Sequence, residues 1–513
     1  MKNIKLVFSF LILFAISFCF SDKVYAANFL GGSTCYKTWY INVNKTIDPD
    51  TVTSKNVKVF DEKNNEVKVY VDVYQGTSIR IRPGDGGYSL GKTYYINLSS
   101  GIKSIYGDNL NLGQYAMNYF VVNQDYQVKI GDSTLEAAIR KAAKKSGDAL
   151  MQSDLDKISE LDISDNYGAL KINFNDIQKL HNLNKIKIYN SSFSSLSNIQ
   201  SLAYNLYGLD SFYSLDLSGN TIGSNINSVL DTFSNLYISN INLSKTNISD
   251  ISHLSNLRNV NTVDLSGNKI SNIYSLGTLN LREANLSSNS ITNVSSLGSD
   301  PGLIKLDLSN NNITDLSPLN NLFYLDTLNL SNNNKKASAG GYDISPLSSL
   351  INLTNLNLSN NNIKVINALE NMDKMLTLDL SVNGIQDISG IKNMDVLQNL
   401  NLAGNYLIND ISVIKNLEHI NTIDLSYNKV RNLEPLSQLN NLTDLNLEYN
   451  DIVDLTPLED LTQLQRLKLD NNHITNIYPL INLINLDTLY ISGNGNIDTT
   501  PIVNLNNLSH KDF

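Results

Sequence analysis

Residues that commonly act in catalysis or metal binding are few and scattered in this chain. None of its five histidines is at metal-ligand spacing from another histidine or from a cysteine. They are His181, His253, His419, His473 and His510. No phosphate-cradling glycine loop and no nucleophile elbow occurs, and a Ser-His-Asp triad cannot be inferred from the abundance of Ser and Asp. We therefore predict no enzyme activity, no cofactor and no metal site.

Residue types that dominate protein interfaces form two groups instead. Tyr and Arg are the side chains most enriched at the energetic centres of interfaces. One group, nearer the N-terminus, comprises Lys185, Lys187 and Tyr189. The other comprises Tyr427, Asp444, Glu448, Tyr449, Arg466, Lys468, Asp470 and Tyr490. We predict that these residues form a protein-binding surface. Ordinary variation among exposed residues is the alternative interpretation.

A repeated sequence motif must position these residues. It occurs fifteen times between Leu161 and Ile502. Each copy begins with two apolar residues that have one residue between them. A polar residue, usually Asn, follows, and Ile or Leu lies two positions after that polar residue. The period is mostly 22 residues. Within one copy, Leu306 and Leu308 share one face of a short strand and Asp307 points to the other face. Stacking buries the apolar faces, so the pattern predicts a curved solenoid with a parallel β-sheet on its concave face.

The repeated Asn has a structural role in this interpretation. After each strand the chain turns inward, which buries backbone N–H and C=O groups that need partners. An Asn amide offers donors and an acceptor, so stacked Asn side chains can satisfy the turn and reach the next coil. The register is marked by Asn268, Asn289, Asn311, Asn333, Asn361, Asn383, Asn405, Asn428, Asn450, Asn472 and Asn494, while Ser191 and Thr246 occupy this position in early coils.

The repeat resembles the 22-residue leucine-rich repeat of the internalin family. Its characteristic tail is carried by Asp315–Leu319, by Asp343–Leu347 and by Asp454–Leu458. The resemblance covers about two thirds of the chain and implies protein recognition, such as adhesion to host or neighbouring cells. Internalins carry an Ig-like domain after the repeats, whereas this chain is predicted to carry one before them. That difference leaves the anchoring and orientation of the chain open.

The segment that precedes the repeats, residues 27–125, contains many short strand-like runs separated by turn signals, which predicts an antiparallel β-sandwich. Residues 41–49, 88–96 and 101–104 resemble the bacterial Ig-like domain of S-layer-type proteins, which implies a spacer or stalk. Residues 126–158 are predicted to be a helical cap that covers the first coil, opened by a capping box at Ser133–Glu136. The repeats then take residues 159–502, and residues 503–513 form a partial terminal coil.

The N-terminal 26 residues predict export. A basic start, an apolar run and the small-residue site Val24-Tyr25-Ala26 are typical of a signal peptide. No later apolar run is long enough to span a membrane. Cys35 then remains without an internal disulfide partner. A formal charge of −10 and the lack of a basic stripe make nucleic-acid binding unfavourable.

We therefore predict a monomeric, secreted or cell-surface bacterial protein that binds a protein partner through its repeats. Two alternatives remain. The chain could be a structural component of the cell envelope or S-layer, or an enzyme inhibitor or cryptic enzyme. A buried pocket that joins His419 or His473 to carboxylates would favour the last alternative. The insertion at 334–342, which lengthens one coil, is interpreted as a bulging surface loop.

Overall fold

The structure is a computed structural model. It describes residues 28–33, 36–43, 45–74, 76–84, 86–89, 91–110, 117–122, 125–164, 171–192, 197–209, 212–257, 259–299, 301–333 and 341–513. The predicted signal peptide, Cys35 and most of the insertion at 334–342 lie outside these residues. The chain forms two compact units. The first holds the described residues up to Leu161 with Asn173–Asn184 and Gly208–Ser211, and the second holds Asp162–Ile172, Lys185–Tyr207 and Phe212–Phe513.

Eight strands of the first unit form two sheets. They are β1 (Asn28–Ser33), β2 (Trp39–Asn42), β3 (Val57–Asp61), β4 (Glu66–Val67), β5 (Val69–Tyr74), β6 (Ser78–Pro83), β7 (Thr93–Leu98) and β8 (Met117–Val122). One sheet has the order β1-β8-β7-β3-β4 and the other the order β2-β6-β5. All pairs are antiparallel except β1 with β8.

The two sheets share one apolar core. Ile79 and Ile81 of β6 are fully buried in the same cluster as Ile96 of β7 and Phe120 of β8. Period-two alternation of apolar residues along these strands gives each sheet one apolar face, and the two faces bury each other. The predicted antiparallel β-sandwich is therefore confirmed in its architecture.

Two helices follow the sandwich in the same unit, α1 (Ser133–Ala142) and α2 (Gln152–Leu155). The predicted capping box at Ser133 is wrong, because Asp132 is the N-cap residue of α1. Its Oδ1 accepts hydrogen bonds from the N–H groups of Thr134 and Leu135, both at 2.9 Å. Asp is as good an N-cap as Ser, and here it satisfies two of the donors that a helix start leaves open.

Sixteen strands form one parallel sheet in sequence order, from β9 to β24. They are β9 (Glu160–Ser164), β10 (Lys185–Tyr189), β11 (Ser214–Asp216), β12 (Asn240–Asn242), β13 (Thr262–Asp264), β14 (Glu283–Asn285), β15 (Lys305–Asp307), β16 (Thr327–Asn329), β17 (Asn355–Asn357), β18 (Thr377–Asp379), β19 (Asn399–Asn401), β20 (Thr422–Asp424), β21 (Asp444–Asn446), β22 (Arg466–Lys468), β23 (Thr488–Tyr490) and β24 (His510–Lys511). The predicted leucine-rich-repeat solenoid is confirmed. The outward side of this sheet is called the sheet face below.

Each coil closes its apolar interior as the repeat predicts. Leu306 and Leu308 are at most 1% exposed, and Leu316 and Leu319 are equally buried. Neighbouring coils also share backbone bonds, such as the 2.8 Å bond from the N–H of Leu308 to the carbonyl of Asn329. Side chains of one coil thus bury those of the next, which no isolated coil could achieve.

Opposite the sheet, most coils close with a short 3-10 helix. These helices are Asn175–Lys179, Gly223–Asn225, Ser252–Asn256, Tyr274–Thr278, Ser295–Ser299, Ser317–Asn321, Ser345–Ser349, Asn367–Leu369, Ser389–Ile391, Ser412–Asn416, Glu434–Leu436, Thr456–Leu458, Tyr478–Asn482 and Thr500–Ile502, and a further one, Pro49–Thr51, lies in the sandwich. Two early coils carry α-helices, α3 (Ser197–Leu206) and α4 (Ile226–Phe233). Neither helix was predicted from the sequence. Apolar residues at helical spacing, such as Ile226, Val229, Leu230 and Phe233, are buried and explain the difference.

Candidate protein-binding surface

An asparagine ladder fixes the turn that follows each strand. Asn311 is 2% exposed, and its Nδ2 donates to the carbonyl oxygens of Leu286 and Leu308, both at 3.0 Å. Its Oδ1 accepts from the N–H of Ile291 at 2.9 Å. Leu286 and Ile291 belong to the preceding coil. The ladder predicted from the sequence therefore exists, but each Asn reaches back toward the N-terminus rather than forward.

The ladder also includes Asn220, which the sequence analysis did not place in the register. Its Nδ2 donates to the carbonyl of Ile188 at 2.6 Å and to that of Leu217 at 2.8 Å. Asn220 follows Leu217 by three residues, the same spacing that links Asn311 to Leu308. This spacing was available in the sequence, but the long early coils obscured the 22-residue period.

One coil departs from the ladder. After Asn405 the buried apolar residue is Ile408, three positions later, and Leu407 is 47% exposed. This coil thus carries one extra residue. The N–H that would meet the Oδ1 of Asn428 is displaced, and this buried oxygen has no hydrogen-bond partner among the described residues. The Leu that the repeat predicts two positions after Asn405 is present, but it is exposed and Ile408 takes the buried place.

A second row of bonds governs the sheet face. On eleven consecutive strands, β11 to β21, the third strand residue is Asp or Asn, and its Oδ1 accepts from the N–H two residues later at 2.8–3.2 Å. The pair of Asp307 with Ser309 is one example. These bonds satisfy backbone donors where the strand ends. The polar, mildly acidic middle of this face is thus explained by local structure.

This row of bonds is interrupted where the sequence predicts binding. The equivalent positions on β10, β22 and β23 carry Lys187, Lys468 and Tyr490. Neither Lys nor the ring of Tyr can accept a bond in this way. These three side chains therefore do not accept the backbone bond that their counterparts accept. All three belong to the predicted site.

The C-terminal group is held together by specific contacts. Arg466 forms an ion pair with Asp444 on the adjacent strand, from Nε to Oδ1. Lys468 lies over the ring of Tyr490, with Nζ 5.7 Å from the ring centroid, at cation–π distance. Both cations of this group are thus already engaged by side chains of this chain.

Tyr427 and Tyr449 lie at the edge of the sheet face, in the turn that precedes the ladder Asn. Their rings stack with centroids 4.3 Å apart and an angle of 14° between planes. Both rings are exposed, at 43% and 44%. Their backbones have φ values of 56° and 53°, a region that bulky residues rarely adopt. The same position holds Asn360 and Asn471 in other coils, which adopt it readily.

Three carboxyl groups meet beside this stack. Asp470 is 8% exposed, and its buried Oδ1 has no hydrogen-bond partner among the described residues. Burial, together with contacts with the carboxyls of Asp512 and Glu448, raises the pKa of Asp470 to about 7. Burial opposes ionisation of Asp512 too, but its pKa is lowered by bonds from Asp470, Ile491 and Ser492. Neither Asp512 nor the clustering was predicted from the sequence.

The N-terminal group lies elsewhere on the same sheet. Lys185, Lys187 and Tyr189 lie on β10, eleven strands before β21. At ~4.8 Å per strand this separation is roughly 50 Å. Lys187 faces Asp216 of the next strand, with Nζ 3.6 Å from Oδ2. The predicted residues therefore form two separate patches.

His473 lies at the surface and not in a buried pocket. A surface cleft of about 990 Å³ is lined in part by His473, Asp451, Asp410 and Arg431. His473 Nε2 lies 3.7 Å from Asp451 Oδ1, but these side chains are 67% and 53% exposed. The buried pocket that would have favoured an enzyme is not formed around His473. In the described part of the chain, no group of three His, Cys, Asp or Glu side chains is placed to hold a metal ion.

Comparison with known proteins agrees with the fold. No family model and no curated protein sequence matches the chain. An internalin (inlF) from Listeria monocytogenes is 26% identical with a TM-score of 0.51, over 74% of this chain and 95% of that one. The functional domain of InlJ from the same organism, which includes a cysteine ladder, is 19% identical with a TM-score of 0.54, over 72% of this chain and 81% of that one.

A plant structure also matches. The leucine-rich-repeat ectodomain of a membrane receptor kinase from Arabidopsis thaliana, solved in complex with Casparian strip integrity factor 2, is 21% identical with a TM-score of 0.50. The match covers 68% of this chain and 46% of that one. The chain is therefore a leucine-rich-repeat solenoid protein. Its structural neighbours are internalin-type and other leucine-rich-repeat proteins. None of the helices described here is long and apolar enough to cross a membrane.

Proposed function

We propose that this chain is an exported bacterial protein, secreted or held at the cell surface, that recognises a protein partner through the sheet face of its solenoid. The observation that carries the proposal is the interruption of the Asx bonds at Lys187, Lys468 and Tyr490. On β11 to β21 this position serves the backbone. Where the structural residue is given up, Tyr490 is of a type enriched at interfaces, and Lys468 lies over its ring.

The C-terminal patch is the stronger of the two contact sites. It combines Tyr449, Arg466 and Tyr490 on three successive coils, with Arg466 53% exposed. Aromatic and Arg side chains give large contact area for a small loss of conformational entropy. Adhesion or recognition of host or neighbouring cells is the role we propose. The internalin-type neighbour supports it, because a chain 26% identical shares the solenoid over most of its length.

Within this proposal the N-terminal sandwich is an Ig-like spacer at residues 27–125, residues 126–158 cap the solenoid, and the repeats at 159–502 carry recognition. The shared core of the two N-terminal sheets supports the first assignment. The helices α1 and α2, which directly precede β9, support the second. We propose that the chain acts as a monomer and uses no cofactor.

An affinity capture tests the proposal. The full chain is used as bait against surface extracts from host cells and from bacteria, beside a variant with Tyr449→Ala, Arg466→Ala and Tyr490→Ala. We expect a protein that the wild type captures and the triple variant loses.

The matched control is Glu283→Ala with Lys305→Ala. It removes an ion pair of 3.0 Å near the middle of the sheet, at the same strand positions as the pair of Asp444 with Arg466. The control should capture the partner as well as the wild type does. Equal capture by the triple variant, with an unchanged unfolding midpoint, would reject the patch. Retention of the chain in the cell envelope without any captured partner would favour the structural role instead.

A further inference from the structure

Two neighbouring rows of side chains run along the C-terminal coils. One row, which is small and polar in other coils, reads Ser426, Glu448, Asp470 and Ser492. The adjacent row reads Tyr427, Tyr449, Asn471 and Gly493. Backbone bonds of 2.8–2.9 Å, from Tyr427 to Glu448 and from Tyr449 to Asp470, fix the register between coils. The backbone of Glu448 is therefore bonded to that of Tyr427, and the backbone of Asp470 to that of Tyr449.

Among the described residues, no basic side chain balances the carboxyl groups of this place. Arg466 is paired with Asp444, and Lys468 lies over Tyr490. Glu448 and Asp470 form no ion pair with any residue that the structure describes. Asp470 is more than nine-tenths buried with an oxygen that lacks a partner. A buried carboxyl group in this condition is stabilised by a proton or by a cation.

The aromatic rings provide the second half of a cation site. The stack covers one face of Tyr449, while the equivalent position in the next coil is Asn471, which has no ring to cover the other face. A planar guanidinium stacks on an aromatic face and donates two parallel bonds to a carboxylate, whereas an ammonium is a compact point charge. The combination of an open ring and adjacent carboxyls thus favours Arg over Lys.

We propose that Tyr427, Tyr449, Glu448 and Asp470 form a docking site for an arginine-bearing segment of a protein partner. The proposal rests on the proposed function and names the chemistry of its partner. The guanidinium stacks on the open face of Tyr449 and bonds the carboxylates of Glu448 and Asp470. Asp512 keeps its bonds from the N–H groups of Ile491 and Ser492.

Binding must then release a proton. Near pH 6.5 the Asp470 carboxyl is largely protonated, because its pKa is raised to about 7. A bound cation favours the ionised form, so association and proton release are linked. The titratable groups that act on Asp470 are Glu448 and Asp512. Lys468, two residues before Asp470, lies over the ring of Tyr490.

The test is calorimetric titration of the full chain with a hexa-arginine amide and, at equal charge, a hexalysine amide. The titration is repeated at pH 6.5 in buffers that differ in ionisation enthalpy. The dependence of the binding heat on that enthalpy gives the number of protons released. We expect tighter binding of hexa-arginine and release of up to about one proton. Glu448→Gln with Asp470→Asn should weaken binding by roughly tenfold or more and abolish the release.

Two further variants complete the design. Tyr427→Asn with Tyr449→Asn keeps a residue suited to the backbone and should weaken binding by about fivefold. Asp373→Asn with Asp395→Asn, which neutralises two exposed carboxylates in other coils, controls for the net charge. Equal losses in the two carboxylate double variants, or equal affinity for both peptides, would overturn the site.

Failure of this site and failure of the proposed function are distinguishable. Suppose that a captured partner is lost by the Tyr449, Arg466 and Tyr490 variant but kept by Glu448→Gln with Asp470→Asn. Recognition by the sheet face then stands and the arginine site falls. If hexa-arginine binds as expected and no protein is captured, the site stands and the proposed function fails.

Discussion

The asparagine ladder offers a graded test. In three of its members the Nδ2 groups donate the same kinds of bond, while the Oδ1 atoms accept different numbers of bonds. The Nδ2 groups of Asn383, Asn311 and Asn428 each donate to two Leu carbonyls and to one Ser carbonyl at 2.9–3.2 Å. All three residues are at most 8% exposed. Replacement of each by Ala removes the same donor bonds and a similar volume.

The acceptor bonds differ between the three. The Oδ1 of Asn383 accepts from the N–H groups of Asn361 and Ile363 at 3.0 and 2.9 Å. Among the described residues, that of Asn311 accepts only from Ile291, and that of Asn428 accepts no bond. Withdrawal of the acceptor from a buried N–H costs about 1–3 kcal/mol. We therefore expect Asn383→Ala to cost most, Asn311→Ala less by about 1–3 kcal/mol, and Asn428→Ala least.

Urea unfolding of the full chain, followed by circular dichroism, measures the order. The slope of the transition must stay constant between variants, so that a shift in midpoint reports stability. Equal midpoints for the three variants would refute the acceptor account. A larger loss for Asn428→Ala than for Asn383→Ala would refute it as well.

Three other changes test separate parts of the structure. Val382→Asn should raise stability by about 1 kcal/mol in urea unfolding, because a β-branched residue is strained at φ 55°, and a lower midpoint would contradict this. Leu306→Ala should cost about 2–5 kcal/mol by the same assay, since Leu306 is 1% exposed, while the neighbouring Lys305→Ala serves as the near-neutral control. Asp470→Asn should become increasingly stabilising relative to wild type from about pH 4 to pH 7. The pKa of Asp470 is raised to about 7 in the folded chain, against ~3.9 in the unfolded chain. The free energy of unfolding of the wild type therefore falls by about 1.4 kcal/mol per pH unit in this range. A difference that does not change with pH would count against the raised pKa.

The solenoid was predictable because its signal is repeated. Leu306, Leu308 and Asn311 recur at one spacing in many copies, so each copy reinforces the same period and the same buried face. The ladder followed from the need of a buried turn for donors and an acceptor. Its direction did not follow, since the sequence does not say on which side of an Asn the neighbouring coil lies.

The candidate site was less accessible to sequence reasoning. Its members could be found as departures from the repeat, but their contacts depend on positions in space. The extra residue after Asn405 is one symbol in the sequence, yet it exposes Leu407 and leaves the oxygen of Asn428 unpaired. The convergence of Asp470 with Asp512 joins residues 42 positions apart. No periodic rule predicts a contact made between a regular coil and a terminal strand.

If the chain is held at a surface and pulled by a bound partner, as proposed, the missing bond at Asn428 has a mechanical consequence. Each seam between successive coils bears the full load along the solenoid, and most seams carry the same side-chain hydrogen bonds. The seam between the coil of Asn405 and that of Asn428 lacks one of these bonds. We expect rupture under tension to begin there, which would leave the coils that carry Tyr427 and Tyr449 attached to the bound partner.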